Sequence, residues 1–215
     1  MKRFIALLFA SIFILLPFMA NSYKVDEKAV IKFYYFNEYG IFTEKQIVSM
    51  EKAERIEKAF LLLRKGLLHC NWHLTIIALT YLRGLSLFLY LLDEIEDIID
   101  EFFTPATKAS LFAHIFSYGH GCLYIPFYNV PIGHALFFGM ILRPIYWKFN
   151  SLSYTLVRKS HLIPPRIDIW DAIGKQEGFM LGFYGIYVEI SRPYLPDTYI
   201  MLGRCGLLIQ NDLLL

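Results

Sequence analysis

Three cysteines in 215 residues, Cys70, Cys122 and Cys205, are too few to staple a disulfide scaffold. In an exported chain one bridge could form in any of three pairings, leaving one thiol over. No two of them stand as C-x-x-C, which excludes a zinc knuckle. Charge of one sign is also scarce: a formal net charge of +2 leaves no footprint for nucleic acid. No G-x-S-x-G elbow presents a serine nucleophile. Gly182-Phe183-Tyr184-Gly185 lacks the third glycine and the following amphipathic helix of a dinucleotide fingerprint. No motif names a reaction, so catalytic residues stay unassigned and no cofactor is expected.

Apolar matter is abundant instead. The hydrophobic share is 56 % and the aromatic share 17 %, with a mean hydropathy of +0.44. Values this high in a chain that suits one domain raise the question of a membrane.

The first residues answer part of it. Met1-Lys2-Arg3 is a basic start, and an apolar run from Phe4 to Ala20 follows, broken only by Ser11 and Pro17. Ala20-Asn21-Ser22 then sets small residues at −3 and −1, completing the signature of a secretory signal peptide over residues 1–22. The same run left uncleaved is near the lower length limit for an anchor helix. Either way the remainder is expected outside the cytoplasmic membrane, secreted or held at the envelope.

A second crossing is less well supported. Leu74 to Leu92 is long enough, but Arg83 sits at its centre at a cost of about 2.5–3.5 kcal/mol. Lys45, Lys52, Arg55, Lys58, Arg64 and Lys65 precede it, and Asp93, Glu94, Glu96, Asp97, Asp100 and Glu101 follow. With an export signal upstream, a span here would leave the basic flank outside, against the positive-inside rule. Leu123 to Leu142 holds Pro126 and Pro131, which argues against a continuous helix. Arg83 is expected to pair with an acid such as Glu177 or Glu189, or to snorkel outward.

Along the chain, residues 29–36 predict a strand. Thr43-Glu44-Lys45-Gln46 reads as a capping box that opens a helix ending near Gly66. That helix carries Glu51–Arg55 and Glu54–Lys58 pairs on its polar face. A second long helix is expected from Asn71 to Phe103, with Ile95, Ile98, Ile99 and Phe102 inward and the carboxylates on a solvated face. Beyond Pro105 the period changes: Ser151 to Leu156 alternates strictly, and Asn129 to Gly133 suggests a hairpin connection. Phe179 to Ile190 and Thr198 to Ile209 read as strands, with Arg192-Pro193-Tyr194-Leu195-Pro196-Asp197 as the loop between them. An M-L-G-x-x-G pattern occurs at Met180 and again at Met201, 21 positions on. Two copies are too few for a solenoid and predict neighbouring strands, with glycines at bulges or close approaches.

Few groups offer chemistry. His69 and His73 stand four apart and, on one helix, could share a metal ion, with a third ligand from His114, His120 or His134. Cys70 occupies the place where a metalloprotease carries its glutamate base. His120, between Gly119 and Gly121, suggests a tight turn.

The sequence therefore predicts an α+β fold: signal peptide 1–22, a helical region 23–105 with two helices, and an antiparallel sheet of about five or six strands in 106–215, packed as one unit. The expected role is that of an exported, non-catalytic envelope protein that binds a protein partner or the membrane surface, with no nucleic acid involved. Rival readings are a metal-dependent hydrolase built on His69 and His73, a carrier whose sheet encloses an apolar ligand, and an integral membrane protein using residues 74–92. Oligomeric state is not legible.

Overall fold

The computed structural model describes residues 28–37, 40–84, 92–103, 113–125, 144–150, 152–162 and 165–212. Among them run ten strands and three helices, in place of two helices on five or six strands. The hairpin of β1 (Lys28–Asn37) and β2 (Gly40–Ser49) leads into α1 (Met50–Leu68), α2 (Trp72–Arg83) and α3 (Leu92–Phe103). Then come β3 (Ala113–Tyr124), β4 (Ile145–Phe149), β5 (Tyr154–Leu162), β6 (Pro165–Ile173) and β7 (Gln176–Leu181). β8 (Tyr184–Ser191), β9 (Thr198–Cys205) and β10 (Leu207–Asp212) complete the order. The predicted signal segment 1–22 and the hairpin connection at 129–133 lie outside the described residues.

The expected strand number was low for two physical reasons. Thr43 to Gln46 is strand, because β2 pairs with β1 along its whole length, with Thr43 opposite Tyr34 and Gln46 opposite Ile31. Ser49 caps α1 instead, its hydroxyl accepting from the Lys52 amide at 3.3 Å. Secondly, both apolar runs near the C-terminus are each split in two by glycine corners.

Those corners explain the M-L-G-x-x-G repeat. Leu181 faces Leu207 and Tyr184 faces Arg204, so the β7–β8 arm and the β9–β10 arm keep one register through the bend. They form a single hairpin folded over at Gly182-Phe183 and at Gly206. At the fold Gly185 lies opposite Gly203. A Cβ on Gly185, whose φ is +144°, would lie 2.3 Å from the Leu202 carbonyl oxygen; one on Gly203 would lie 2.3 Å from that of Tyr184. Only glycines allow two backbones to approach so closely.

The folding-over builds two layers of sheet. A large sheet runs β2-β1-β8-β9-β3-β5-β6, and the end of β3 pairs with β4, then β7 and β10, to make a small sheet. All pairings are antiparallel. β10 continues back through Gly206 into β9, which pairs with β3, so this ladder closes on itself and β3, β4 and β7 lie within it rather than at an edge. Its interior is filled by Trp147, Phe149, Met180, Phe183, Met201 and Cys205.

The helices cover the other face of the large sheet. Ile56, Phe60 and Leu63 of α1, Ala78 and Leu82 of α2, and Ile95, Ile98, Ile99 and Phe102 of α3 bury against Phe33, Phe116, Val188 and Leu202. The expected inward face of α3 is thus present, with Asp93, Asp97 and Asp100 exposed; the side chain of Glu101 lies outside those described. Gly66 does not end α1. It is buried inside the helix, where a Cβ would lie 2.4 Å from the Thr75 hydroxyl, so it sets the close crossing of α1 and α2.

Asn71 to Phe103 is not one helix: α2 stops at Arg83, residues 85–91 fall outside the description, and α3 begins at Leu92. No helix of the described residues is long and apolar enough to cross a membrane.

Candidate functional site

α1 lies across the large sheet, and its inner face carries two charged residues, Glu57 and Arg64, seven positions apart. Seven residues are nearly two full turns, so both project from the same side of the helix. Both are buried, and their partners Arg192 and Asp171 are partly so, with side chains 9 % and 16 % exposed. A buried charge needs a partner of opposite sign and satisfied hydrogen bonds. Glu57 takes both terminal nitrogens of Arg192, at 3.0 and 2.6 Å. Arg64 pairs with Asp171 on β6, and its guanidinium lies over the Tyr154 ring, 4.3 Å from the centroid.

A chain of polar groups runs from the first pair. Arg192 Nη2 also donates to the Thr198 hydroxyl at 2.7 Å. That hydroxyl meets His120 Nδ1 at 3.1 Å, and His120 Nε2 meets the Tyr118 hydroxyl at 3.3 Å. Both ring nitrogens of His120 are thus engaged by hydroxyl groups. Burial, and then the Glu57 charge, push the Tyr118 phenol up to about 12, so it stays protonated. Tyr118 and Tyr154 stand side by side, ring centroids 6.2 Å apart, linking the two ion pairs.

Local sequence explains the placement. His120 is not in a turn but in β3, at its corner. Gly119 and Gly121 flank it because a Cβ on the first would meet the Phe149 ring at 2.3 Å, and one on the second the Lys148 carbonyl oxygen at 2.3 Å. Thr198 sits directly opposite His120. Chemically, the cluster resembles a hydroxyl with a histidine beside it. Yet Thr198 is fully buried and already accepts from Arg192, and Glu57 is engaged by both of its oxygens. The arrangement binds α1 to the sheet and ties down both ends of the loop from Arg192 to Thr198.

That loop is the contrast. Between its fixed ends, Pro193-Tyr194-Leu195-Pro196 stands in the open, with Tyr194 98 % and Leu195 51 % exposed. The strand register sets other exposed apolar groups at the same end of the large sheet. Leu152 precedes β5 and Ile173 ends β6, while Ile47 lies near the end of β2, opposite Val30. Lys28 opens β1 there, and Lys175 lies in the corner after Ile173; both are exposed.

The residues singled out for metal binding sit elsewhere. His69 caps the C-terminus of α1 and His73 lies in the first turn of α2, with Cys70 at a φ of +48° between them. The chain turns there, so the pair does not share one helix; both side chains are exposed. His114 is buried against Phe102, ring centroids 5.5 Å apart, His120 belongs to the polar chain above, and His134 lies outside the described residues. Among the described residues no three His, Cys, Asp or Glu side chains gather where a metal ion would need them.

Arg83 pairs with neither Glu177 nor Glu189 but with Glu96 of α3 at 3.0 Å, in the open. Glu189 is held by Lys32 at 2.7 Å. All three cysteines are free; Cys70 and Cys122 are exposed and Cys205 is buried between the sheets. Glu57, Arg192 and Thr198 carried no sequence signal, since the ion pair joins residues 135 positions apart. The bracketing prolines of the exposed loop were the one visible clue.

The chain was compared with family models, with curated proteins and with solved structures, and none of them matches it.

Proposed function

We propose that this protein is exported and acts in the cell envelope by binding rather than by catalysis, through the end of the large sheet that carries Tyr194 and Leu195. The observation that supports this reading is the division of labour around Arg192. The terminal nitrogens of Arg192, the Glu57 carboxylate and the Thr198 hydroxyl are spent on one another, and they hold out a loop whose tip is apolar and open. An aromatic residue at 98 % exposure, next to a half-exposed leucine, between two prolines and on a fixed base, offers apolar surface whose covering by a partner is favourable. Proline limits the freedom the loop would otherwise lose on binding, so a contact there keeps more of its free energy.

Fractionation of full-length protein carrying a C-terminal tag tests the reading. The native chain is expected in the envelope fraction, and Tyr194→Ser with Leu195→Ser is expected to release a folded protein. Recovery of the native chain wholly in the cytoplasm, or indifference of its envelope association to the double substitution, would overturn it.

A further inference from the structure

We infer that the partner of this end is the membrane surface itself: the end that carries Tyr194, Leu195, Leu152 and Ile173 lies against the bilayer. The inference rests on the binding role proposed above and assigns its partner. Three independent features of the chain meet at this end.

The first is where the N-terminal segment joins. The apolar run from Phe4 to Ala20 is followed by seven residues, 21 to 27, and then by Lys28, the first residue of β1. Seven residues reach at most about 25 Å, so until the signal is cleaved a run lying in the membrane keeps the start of β1 within that distance of the bilayer. Lys28 pairs with Ser49, and Val30 with Ser191, which puts the start of β1 beside the base of the Arg192–Thr198 loop.

The second feature is the character of the exposed side chains. Tyr194 and Leu195 are an aromatic and an aliphatic residue on a projecting loop, the types that enter the headgroup region and the upper acyl chains. Leu152 is 70 % and Ile173 62 % exposed, both at the corner where the large sheet turns into the small one.

The third is charge. Lys28 and Lys175 are exposed at this end and suit anionic headgroups. Nearby carboxylates are engaged: Glu57 by Arg192, Glu51 by Arg55 at 2.5 Å, and Asp197 by the Tyr199 phenol. α2 carries no carboxylate, and α3, with Asp93, Asp97 and Asp100 exposed, packs its apolar side on the face of the large sheet.

Hydrogen–deuterium exchange of the full chain, with and without vesicles containing about one-third phosphatidylglycerol in phosphatidylethanolamine, reads the footprint directly. Vesicles are expected to protect peptides covering 192–197, 150–153 and 173–175, while the hairpin tip around Gly40 to Phe42 exchanges as before. Tyr194→Ser with Leu195→Ser is expected to abolish that protection and to lower vesicle partitioning about tenfold for a chain without its first 22 residues. Vesicle binding without protection of those peptides would mean that the N-terminal segment alone holds the chain, and would overturn the inference. No vesicle binding, with release of the double variant from the envelope, would overturn it as well and assign the same end to a protein partner. Failure of the double substitution in both assays would remove the binding role together with the inference.

Discussion

Arg192 is the residue on which the arrangement turns. Its guanidinium meets Glu57 of α1 and Thr198 of β9 at once, so one side chain joins the helix layer, the sheet and the loop. Removing one partner of a buried pair leaves the other charged and without compensation, which costs about 3–5 kcal/mol. Arg192→Leu is therefore expected to lower the unfolding free energy by that amount in urea titration. Glu57→Leu added to it should recover much of the loss, because two apolar groups need no partner. A single variant within about 0.5 kcal/mol of the native protein would show that the pair does not bear on stability. Little of this was legible in advance. An arginine next to proline reads as loop, and nothing in its neighbourhood points to a glutamate far away in sequence.

Elements fared better where periodicity was strong and worse where it was shared. Ile95, Ile98, Ile99 and Phe102 repeat at helical spacing, and all four are buried on α3. Thr43 to Gln46 satisfies a capping box, but the same residues pair with β1 along the whole hairpin, and long-range pairing overrode the local cap. The M-L-G-x-x-G repeat did announce two paired strands with glycines at close approaches. It did not announce that both arms fold over at that point. Gly203→Ala tests the fold-over. Its methyl would lie 2.3 Å from the Tyr184 carbonyl oxygen, an atom of the paired backbone that cannot step aside alone. A loss of about 2–4 kcal/mol is expected in thermal or urea unfolding. Gly206→Ala, where a Cβ would keep an ordinary 3.7 Å from the Leu181 carbonyl oxygen, should cost much less.

The whole molecule is a sheet folded into two layers with helices on one side, and its interior is rich in groups that resist ionisation. Burial pushes the phenols of Tyr118 and Tyr199 up to about 12, helped by the charges of Glu57 and Asp197 respectively, and burial pushes the Cys205 thiol up to about 12. Tyr187, buried deeper, is raised further still. In the unfolded chain these phenols lose their protons near pH 10 and the thiol near pH 9. Above those values the unfolded state binds fewer protons than the folded one, so stability falls as pH rises, until the folded groups titrate near 12. Unfolding midpoints measured in urea from pH 8 to pH 11 are expected to hold and then decline from about pH 9 to 10 onward. A flat profile to pH 11 would mean that these groups already reach water.

The sequence by itself determined the strands and helices with an unshared period, the absence of a recognisable reaction motif, and the pairing of the two glycine-bearing runs. Those features are local, fixed by a handful of neighbouring residues. Tertiary structure alone decided that the sheet folds over, that Glu57 reaches Arg192, and that Tyr194, Leu195, Leu152 and Ile173 come to one end. Each of these depends on register between segments far apart, and register is set by which faces can be buried together.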